Sequence, residues 1–206
     1  MLTENPDYPA HLIKICRLPV GGTVTIRPVR ADDGELQQTF VRSLSSRTRY
    51  YRFFNAISEL SPSLLARFTR VDYRRQMTLL AVVPDGQAES LIGVAQYMAE
   101  GDEDHCDCAL VVQDAWQRRG VGSLLFDSLR QCAGAASYRY MEGDVLDGNT
   151  VMLQMAKSRD FKIRASLENP GLKRIRAAIA PPCEIQSIGY GDCTAGNQYQ
   201  EKQAWI

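Results

Sequence analysis

Several features that would assign this chain to a class at once are missing. Across 206 residues no apolar run approaches the roughly 20 residues that a membrane-spanning helix needs. Neither charge sign is in excess: 24 basic side chains stand against 24 acidic ones. That removes the general electrostatic reason to expect nucleic acid or an anionic membrane as a partner. Residues Met1–Ala10 are polar and carry Glu4 and Asp7, unlike a secretory signal. The six cysteines (16, 106, 108, 132, 183 and 193) form no repeated C-x-x-C pair, so a cytoplasmic protein with reduced thiols is expected. His105-Cys106-Asp107-Cys108 offers metal-ligating residue types, but successive strand residues point to opposite faces. His105 therefore cannot readily join both cysteines around one ion, and no metal is expected. There is also no G-x-G-x-x-G fingerprint and no G-K-[ST] loop.

What is present centres on Val111-Val112-Gln113-Asp114-Ala115-Trp116-Gln117-Arg118-Arg119-Gly120-Val121-Gly122, followed by an amphipathic stretch from Ser123 to Ala133. An apolar strand end runs into a basic, glycine-bearing turn from which a helix starts. The first helical turn has N–H groups without intrahelical acceptors and carries the positive end of the dipole, so it suits phosphate. Gly120 and Gly122 remove side chains where a diphosphate would approach the backbone, and Arg118 and Arg119 add positive charge. The same glycines also suit an ordinary helix start, and the motif alone does not decide between the two.

The chain length suits one domain with tails. Residues 1–22 read as a leader, broken by Pro19 and Gly21-Gly22. Residues 23–29 alternate and are β-branched, hence a strand. Asp32-Asp33 forms a turn and cap for a helix to about Ser43, and Ser61-Pro62 starts another to about Thr69. Thr78–Val83 and Ser90–Met98 form a hairpin about Pro84-Asp85-Gly86, and Gly101–Asp104 is an acidic loop. Cys106–Val112 is the strand that feeds the glycine turn, and the helix after it ends near Gly134. Met141–Leu146 is a strand, and Asn149 caps a helix to about Arg159. Phe161–Leu167 and Leu172–Ile179 close the sheet. Beyond Pro181-Pro182 the composition turns polar and aperiodic, so 181–206 reads as a flexible tail. The order of elements describes an α/β domain over 23–180, a mixed sheet with helices on both faces.

At this point the residues resemble a known family. Gln117-Arg118-Arg119-Gly120-Val121-Gly122 after a strand is similar to the acyl-CoA pyrophosphate loop of the GCN5-related N-acetyltransferases (GNAT), as are Asn149 opening the next helix and Phe161 beyond it. Ile26-Arg27-Pro28, Ser45-Ser46-Arg47-Thr48-Arg49-Tyr50-Tyr51-Arg52-Phe53-Phe54 and Arg67-Phe68-Thr69-Arg70-Val71-Asp72-Tyr73 resemble the acetyltransferase domain of bacterial protein lysine acetyltransferases. The likeness implies a mostly antiparallel mixed sheet with a splayed central strand pair. It also implies acetyl-CoA as co-substrate, direct transfer without metal or covalent intermediate, and a protein lysine as acceptor, an acyl-CoA synthetase being one candidate partner. Under it, the strand edge at Leu110, Val111 and Val112 receives the pantetheine arm, and a backbone N–H of Val111 or Val112 stabilises the oxyanion. Gln117, Arg118, Arg119, Gly120, Val121, Gly122 and Ser123 hold the pyrophosphate, and Asn149 approaches the thioester.

Acetyl transfer needs a neutral amine, whereas lysine has an ordinary pKa of about 10.4. The resemblance places Asp107 where the family has a glutamate, as the catalytic base, acting directly or through water. Glu103 and Asp104 are fallbacks. Two departures matter: Ala156 stands where many members have a tyrosine acid, and Asp160 where the family has glycine. The segment Arg47–Phe54 reads either as a packed aromatic face with solvated arginines or as a wall that recognises an acidic surface around a target lysine. Two other functions stay open, a small-amine or amino-acid acetyltransferase and a non-catalytic acyl-CoA-binding module.

Overall fold

The computed structural model describes residues 8–99, 104–166 and 169–179. The expected tail, Cys183, Cys193, Glu103 and most of the acidic loop lie outside the described residues. The elements in chain order are β1 (Lys14–Arg17), β2 (Thr23–Pro28), α1 (Gly34–Ser43), α2 (Ser46–Phe53), α3 (Pro62–Thr69), β3 (Gln76–Asp85), β4 (Ala88–Met98), β5 (His105–Val112), α4 (Val121–Ala135), β6 (Tyr140–Leu146), α5 (Thr150–Lys157), β7 (Lys162–Ala165) and β8 (Leu172–Ala178). They build one eight-stranded sheet in the order β1-β2-β3-β4-β5-β6-β8-β7. Every neighbouring pair is antiparallel except β5–β6. The mixed α/β architecture expected from the sequence is the one observed.

Adjacent strand residues feed opposite layers. Leu79 and Ala81 of β3 join the core under α4 (Leu125, Phe126, Leu129) and α5 (Ala156), whereas Leu80 and Val82 join the core under α1 (Phe40, Val41) and α3 (Phe68). Each such fully buried aliphatic or aromatic side chain contributes about 1.5–3 kcal/mol. The caps of α3 and α5 follow the sequence: Ser61 Oγ accepts from Leu64 N and Asn149 Oδ1 from Met152 N.

Three local expectations change. Part of the stretch read as a leader is in the sheet, because β1 pairs with β2 from Lys14↔Ile26 to Arg17↔Thr23. The Gly21-Gly22 break is the hairpin turn itself, with both residues at positive φ (91° and 85°). The hairpin expected about Pro84 turns later, since β3 continues through Pro84↔Glu89 and Asp85↔Ala88. Pairing of β2 with β3 stops at Val82, so Pro84 sits where no ladder N–H is required. Asp33 precedes α1 but makes no capping bond. Its carboxylate pairs instead with buried Arg27 at 2.7 Å, Glu89 completes the guanidinium's shell at 2.8 Å, and Arg30 N donates to Asp33 as well. The Ile26-Arg27-Pro28 signature is thus a structural ion-pair knot at the end of β2.

Candidate active site

The sheet opens between its two parallel strands. β5 and β6 pair only at His105↔Tyr140, Cys106↔Met141 and Asp107↔Glu142, after which they diverge, while β5 stays on β4 as far as Val112↔Gly93. At the fork sits Gly143. A Cβ there would lie 2.8 Å from Cys108 O, closer than a side chain tolerates, so glycine is what lets β6 pass the β5 carbonyl. A cleft of about 270 Å³ follows, lined by Asp107, Cys108, Ala109 and Leu110 on one side and Gly143, Asp144 and Val145 on the other.

Sheet pairing decides which β5 backbone groups face this cleft. Gln113 N donates to Ile92 O, and with the β4–β5 register this alternation commits Val111 and Ala109 to β4. Cys108, Leu110 and Val112 therefore turn their N–H and C=O toward the open side. Two of the three residues expected to meet a pantetheine arm, Leu110 and Val112, are placed at the edge. Val111 is not: its side chain is buried in the α1/α3 core and its amide is used in the sheet, which leaves Leu110 and Val112 as the N–H groups available to an oxyanion.

The edge runs directly into the glycine turn. Arg118 and Gly120 both adopt positive φ (59° and 93°), and Gly120 precedes α4 with no side-chain cap. The first main-chain bond into the helix is from Leu124 N to Gly120 O. The N–H groups of Val121, Gly122 and Ser123 thus lack an intrahelical acceptor, the arrangement that holds an anion. Gly120 is needed for its conformation and because a Cβ would strike Pro19 at 2.8 Å. Gly122 is different, since a Cβ there would meet Leu110 and Val112 side chains at an ordinary 3.6 Å. Gln117 does not face the turn's open side: its amide donates to Val112 O and Thr48 Oγ1, tying the turn to β5. Arg119 stacks on Trp116 at 5.2 Å.

Helix α2 bridges the cleft. At its start Asp114 accepts from Ser45 N, Ser45 Oγ and Thr48 Oγ1. Burial pushes the Asp114 carboxyl up, but these donors outweigh it and hold it below the usual carboxylate range. At the far end Tyr51 OH donates to Gly148 O at 2.9 Å, beside Asn149, and Arg47 donates to the same phenol. Within the Arg47–Phe54 segment, Arg47 and Arg49 are spent on local bonds, whereas Tyr51, Arg52 and Phe54 line the cleft.

The acid expected as base is at the fork. Asp107 is 53 % exposed at its side chain and its Oδ1 lies 2.6 Å from Arg174 Nη2. Arg174 also reaches Glu142 Oε2 at 3.0 Å and Asp144 Oδ2 at 3.2 Å. Burial works against the Arg174 cation, yet the three carboxylates outweigh it and raise its pKa. Nothing in the local sequence flagged Arg174, because it reaches Asp107 across β6 from a strand that follows much later. Asn149 lines the cleft with its side-chain oxygen on the α5 cap. The departures are benign for the fold: Ala156 is buried in the core, and Asp160 takes the left-handed conformation (φ 63°) that glycine would otherwise supply. Cys108 also faces the cleft, but burial, with Cys106 and Asp107 adding to it, pushes its thiol well up. It is a poor nucleophile at neutral pH. Among the described residues no group of three or more His, Cys, Asp or Glu side chains is placed to hold a metal, and no helix is long and apolar enough to cross a membrane.

A mostly antiparallel sheet, opened between two parallel strands and flanked by a glycine-led helix, defines an acyltransferase-type α/β fold. The GNAT domain of S. lividans PAT superposes with a TM-score of 0.76 and 30 % identity, covering 83 % of this chain and 99 % of that one. An acetyltransferase of Pseudomonas aeruginosa is 34 % identical over 121 residues, 59 % of this chain, and the chain spans 65 % of that curated relative's length. A GNAT superfamily phosphinothricin acetyltransferase from Sinorhizobium meliloti, solved in complex with AcCoA, shares the fold at 14 % identity, with a TM-score of 0.61 over 76 % of this chain and 88 % of that one. No family model matches the chain. The chain belongs to the GCN5-related N-acetyltransferase superfamily.

Proposed function

We propose that the chain is an acetyl-CoA-dependent N-acetyltransferase acting by direct attack of an amine on the thioester. The observation that carries this is the β5 edge left unpaired by β6 at Leu110 and at the Val112 N–H, which leads to the uncapped N–H groups of Val121, Gly122 and Ser123. One extended ligand with amides at one end and a diphosphate at the other fits that track. In this reading Arg118 and Arg119 neutralise the diphosphate, and Ser123 adds a hydroxyl to the helix start. The thioester lies in the fork near Asn149, with its carbonyl oxygen on an edge N–H.

The acceptor comes from the opposite side of the sheet. Leu110 and Val112 pack with α4 and α5, whereas Asp107 is on the α2 face with Glu142, Asp144 and Arg174. The amine proton passes to the Asp107 carboxylate, directly or through one water, while Arg174 fixes that carboxylate through Oδ1. Attack forms the tetrahedral intermediate. Its collapse yields the amide and a CoA thiolate, whose pKa near a cysteine's value of about 8.5 lets it leave without strong acid assistance. The high pKa of the Cys108 thiol supports direct transfer over an acyl-cysteine.

A protein lysine is the acceptor we favour, since the α2 segment carries the features shared with protein lysine acetyltransferases. An acyl-CoA synthetase is one candidate partner, and a cytoplasmic setting belongs to the same reading. A small amine is the second reading, favoured by the limited size of the cleft. The test follows free thiol release from acetyl-CoA with a panel of lysine-bearing proteins and small amines. Turnover with proteins is expected. Turnover confined to small amines selects the second reading, and CoA binding without turnover on any acceptor reduces the protein to a binding module.

A further inference from the structure

One charged group in the cleft is unused by this mechanism. Arg52 lies on the last turn of α2 and lines the cleft opposite Asp107, Cys108 and Asp144. Its guanidinium carbon lies over the rings of Phe53 and Phe68, at 5.0 and 5.7 Å from their centroids. Among the described residues neither a carboxylate nor a carbonyl oxygen partners it. The neighbouring arginines have oxygen partners: Arg174 three carboxylates, Arg176 the Glu142 carboxylate, and Arg47 the Tyr51 phenol oxygen. Burial lowers the Arg52 pKa to about 10, which still leaves it cationic at neutral pH. A half-buried cation without a counter-charge is costly, and a guanidinium carries the N–H fork that takes a carboxylate in two parallel bonds.

The backbone around it is held with matching care. Phe54, the residue after α2, adopts φ 56° without being glycine and is 41 % exposed at the mouth of the cleft. Strain of this kind persists where the surroundings fix it; here Tyr51–Gly148 and Asp114–Ser45 pin both ends of α2 across the cleft. The acceptor face thus presents acids at Asp107 and Asp144 for an amine and a lone guanidinium at Arg52.

We propose that Arg52 is a specificity-determining residue that binds a carboxylate of the substrate, carried by the acceptor near its amine or at the far end of the acyl group. This rests on the transferase reading given above. The test compares wild type, R52Q and R52K with matched probes: lysine against lysinamide, a Glu-Lys-Glu peptide against Gln-Lys-Gln, and, on a neutral amine, succinyl-CoA against acetyl-CoA. Transfer is followed by thiol release, and binding of each probe to the CoA-loaded protein by calorimetry. Wild type is expected to favour the carboxylate member of one pair about ten- to hundredfold, through KM more than kcat. R52Q collapses that ratio toward one, and R52K, charged but without the fork, retains part of it, with thermal melts checking that both variants fold. The pair that discriminates identifies whether acceptor or acyl chain carries the carboxylate. No discrimination in any pair, or discrimination that survives R52Q, overturns the proposal. Selective binding without any transfer sinks the transferase reading and leaves the carboxylate site standing.

Discussion

Replacing Gly143 by alanine should damage the fork at its narrowest point. The added Cβ would lie 2.8 Å from Cys108 O, 3.4 Å from Cys108 Sγ and 3.7 Å from Ile175 Cγ1. The first contact is backbone inside a paired strand, so it cannot be relieved by turning a side chain. β6 and β5 must separate by a few tenths of an ångström, and β6 is held on its other side by seven register pairs to β8 from Tyr140↔Ala178 to Leu146↔Leu172. Overpacking of this type costs about 1–3 kcal/mol. For a chain of this length each kcal/mol lowers Tm by about 2–4 °C, so a drop of several degrees is expected. The same displacement shifts Asp144 and Val145 on the cleft wall, and misplacement of reacting groups by up to about 1 Å costs up to about a hundredfold in rate. Thermal melts by circular dichroism and thiol-release kinetics read the two effects. Gly34→Ala is the control, since nothing lies within 4 Å of its Cβ and alanine favours a helix start there. If G143A melts with wild type, or no lower than G34A, the steric argument for the fork is wrong.

Four further outcomes are expected. Asp107→Asn should lower kcat by about a hundredfold or more with CoA affinity near wild type in calorimetry; an unchanged rate removes Asp107 as the base. Gly122→Ala should leave Tm within a degree or two but weaken CoA binding, whereas Gly120→Ala, strained at φ 93° and against Pro19, should lose about 1–3 kcal/mol of stability; equal melting of the two would contradict the distinction. Asp33→Ala leaves the buried Arg27 cation with Glu89 as its one carboxylate and should cost about 1–3 kcal/mol in urea unfolding, an unchanged stability counting against the knot. The carboxyl of Asp114 is held low in the folded state, so its contribution is complete above the unfolded value and is lost as pH falls through the folded one. Asp114→Asn should therefore melt below wild type at pH 7 and approach it below about pH 4, and a gap that persists in acid would refute the linkage.

Periodicity and turn chemistry made most elements legible before any coordinates. The Ser61-Pro62 and Asn149 caps, the β3–β4 hairpin and the glycine turn before α4 are local signals, and local signals survive folding. What stayed hidden was decided by distant partners. β1 is four residues long, too short for an alternating pattern to outweigh the flanking Pro19 and glycines, and only its pairing with β2 makes it a strand. Asp33 reads as a cap until Arg27 claims it. Arg174 meets Asp107 only because β8 lies beside β6. Val111 reads as an edge residue until the β4 register assigns its amide to the sheet, and Gln117 reads as a phosphate ligand until its amide is seen on Val112 O. Gly143 carried a weak sequence signal, a lone glycine within a strand, which points to close backbone approach.

Acyl-CoA is proposed to lie along one continuous track from the β5 edge to the α4 start. A crystal structure with CoA bound tests it most directly. Diphosphate density is expected on the N–H groups of Val121, Gly122 and Ser123, with the pantetheine amides on Leu110 and Val112. Diphosphate density elsewhere, for instance on the basic face formed by Lys162, Arg164 and Arg176, with the α4 start left vacant, would contradict it.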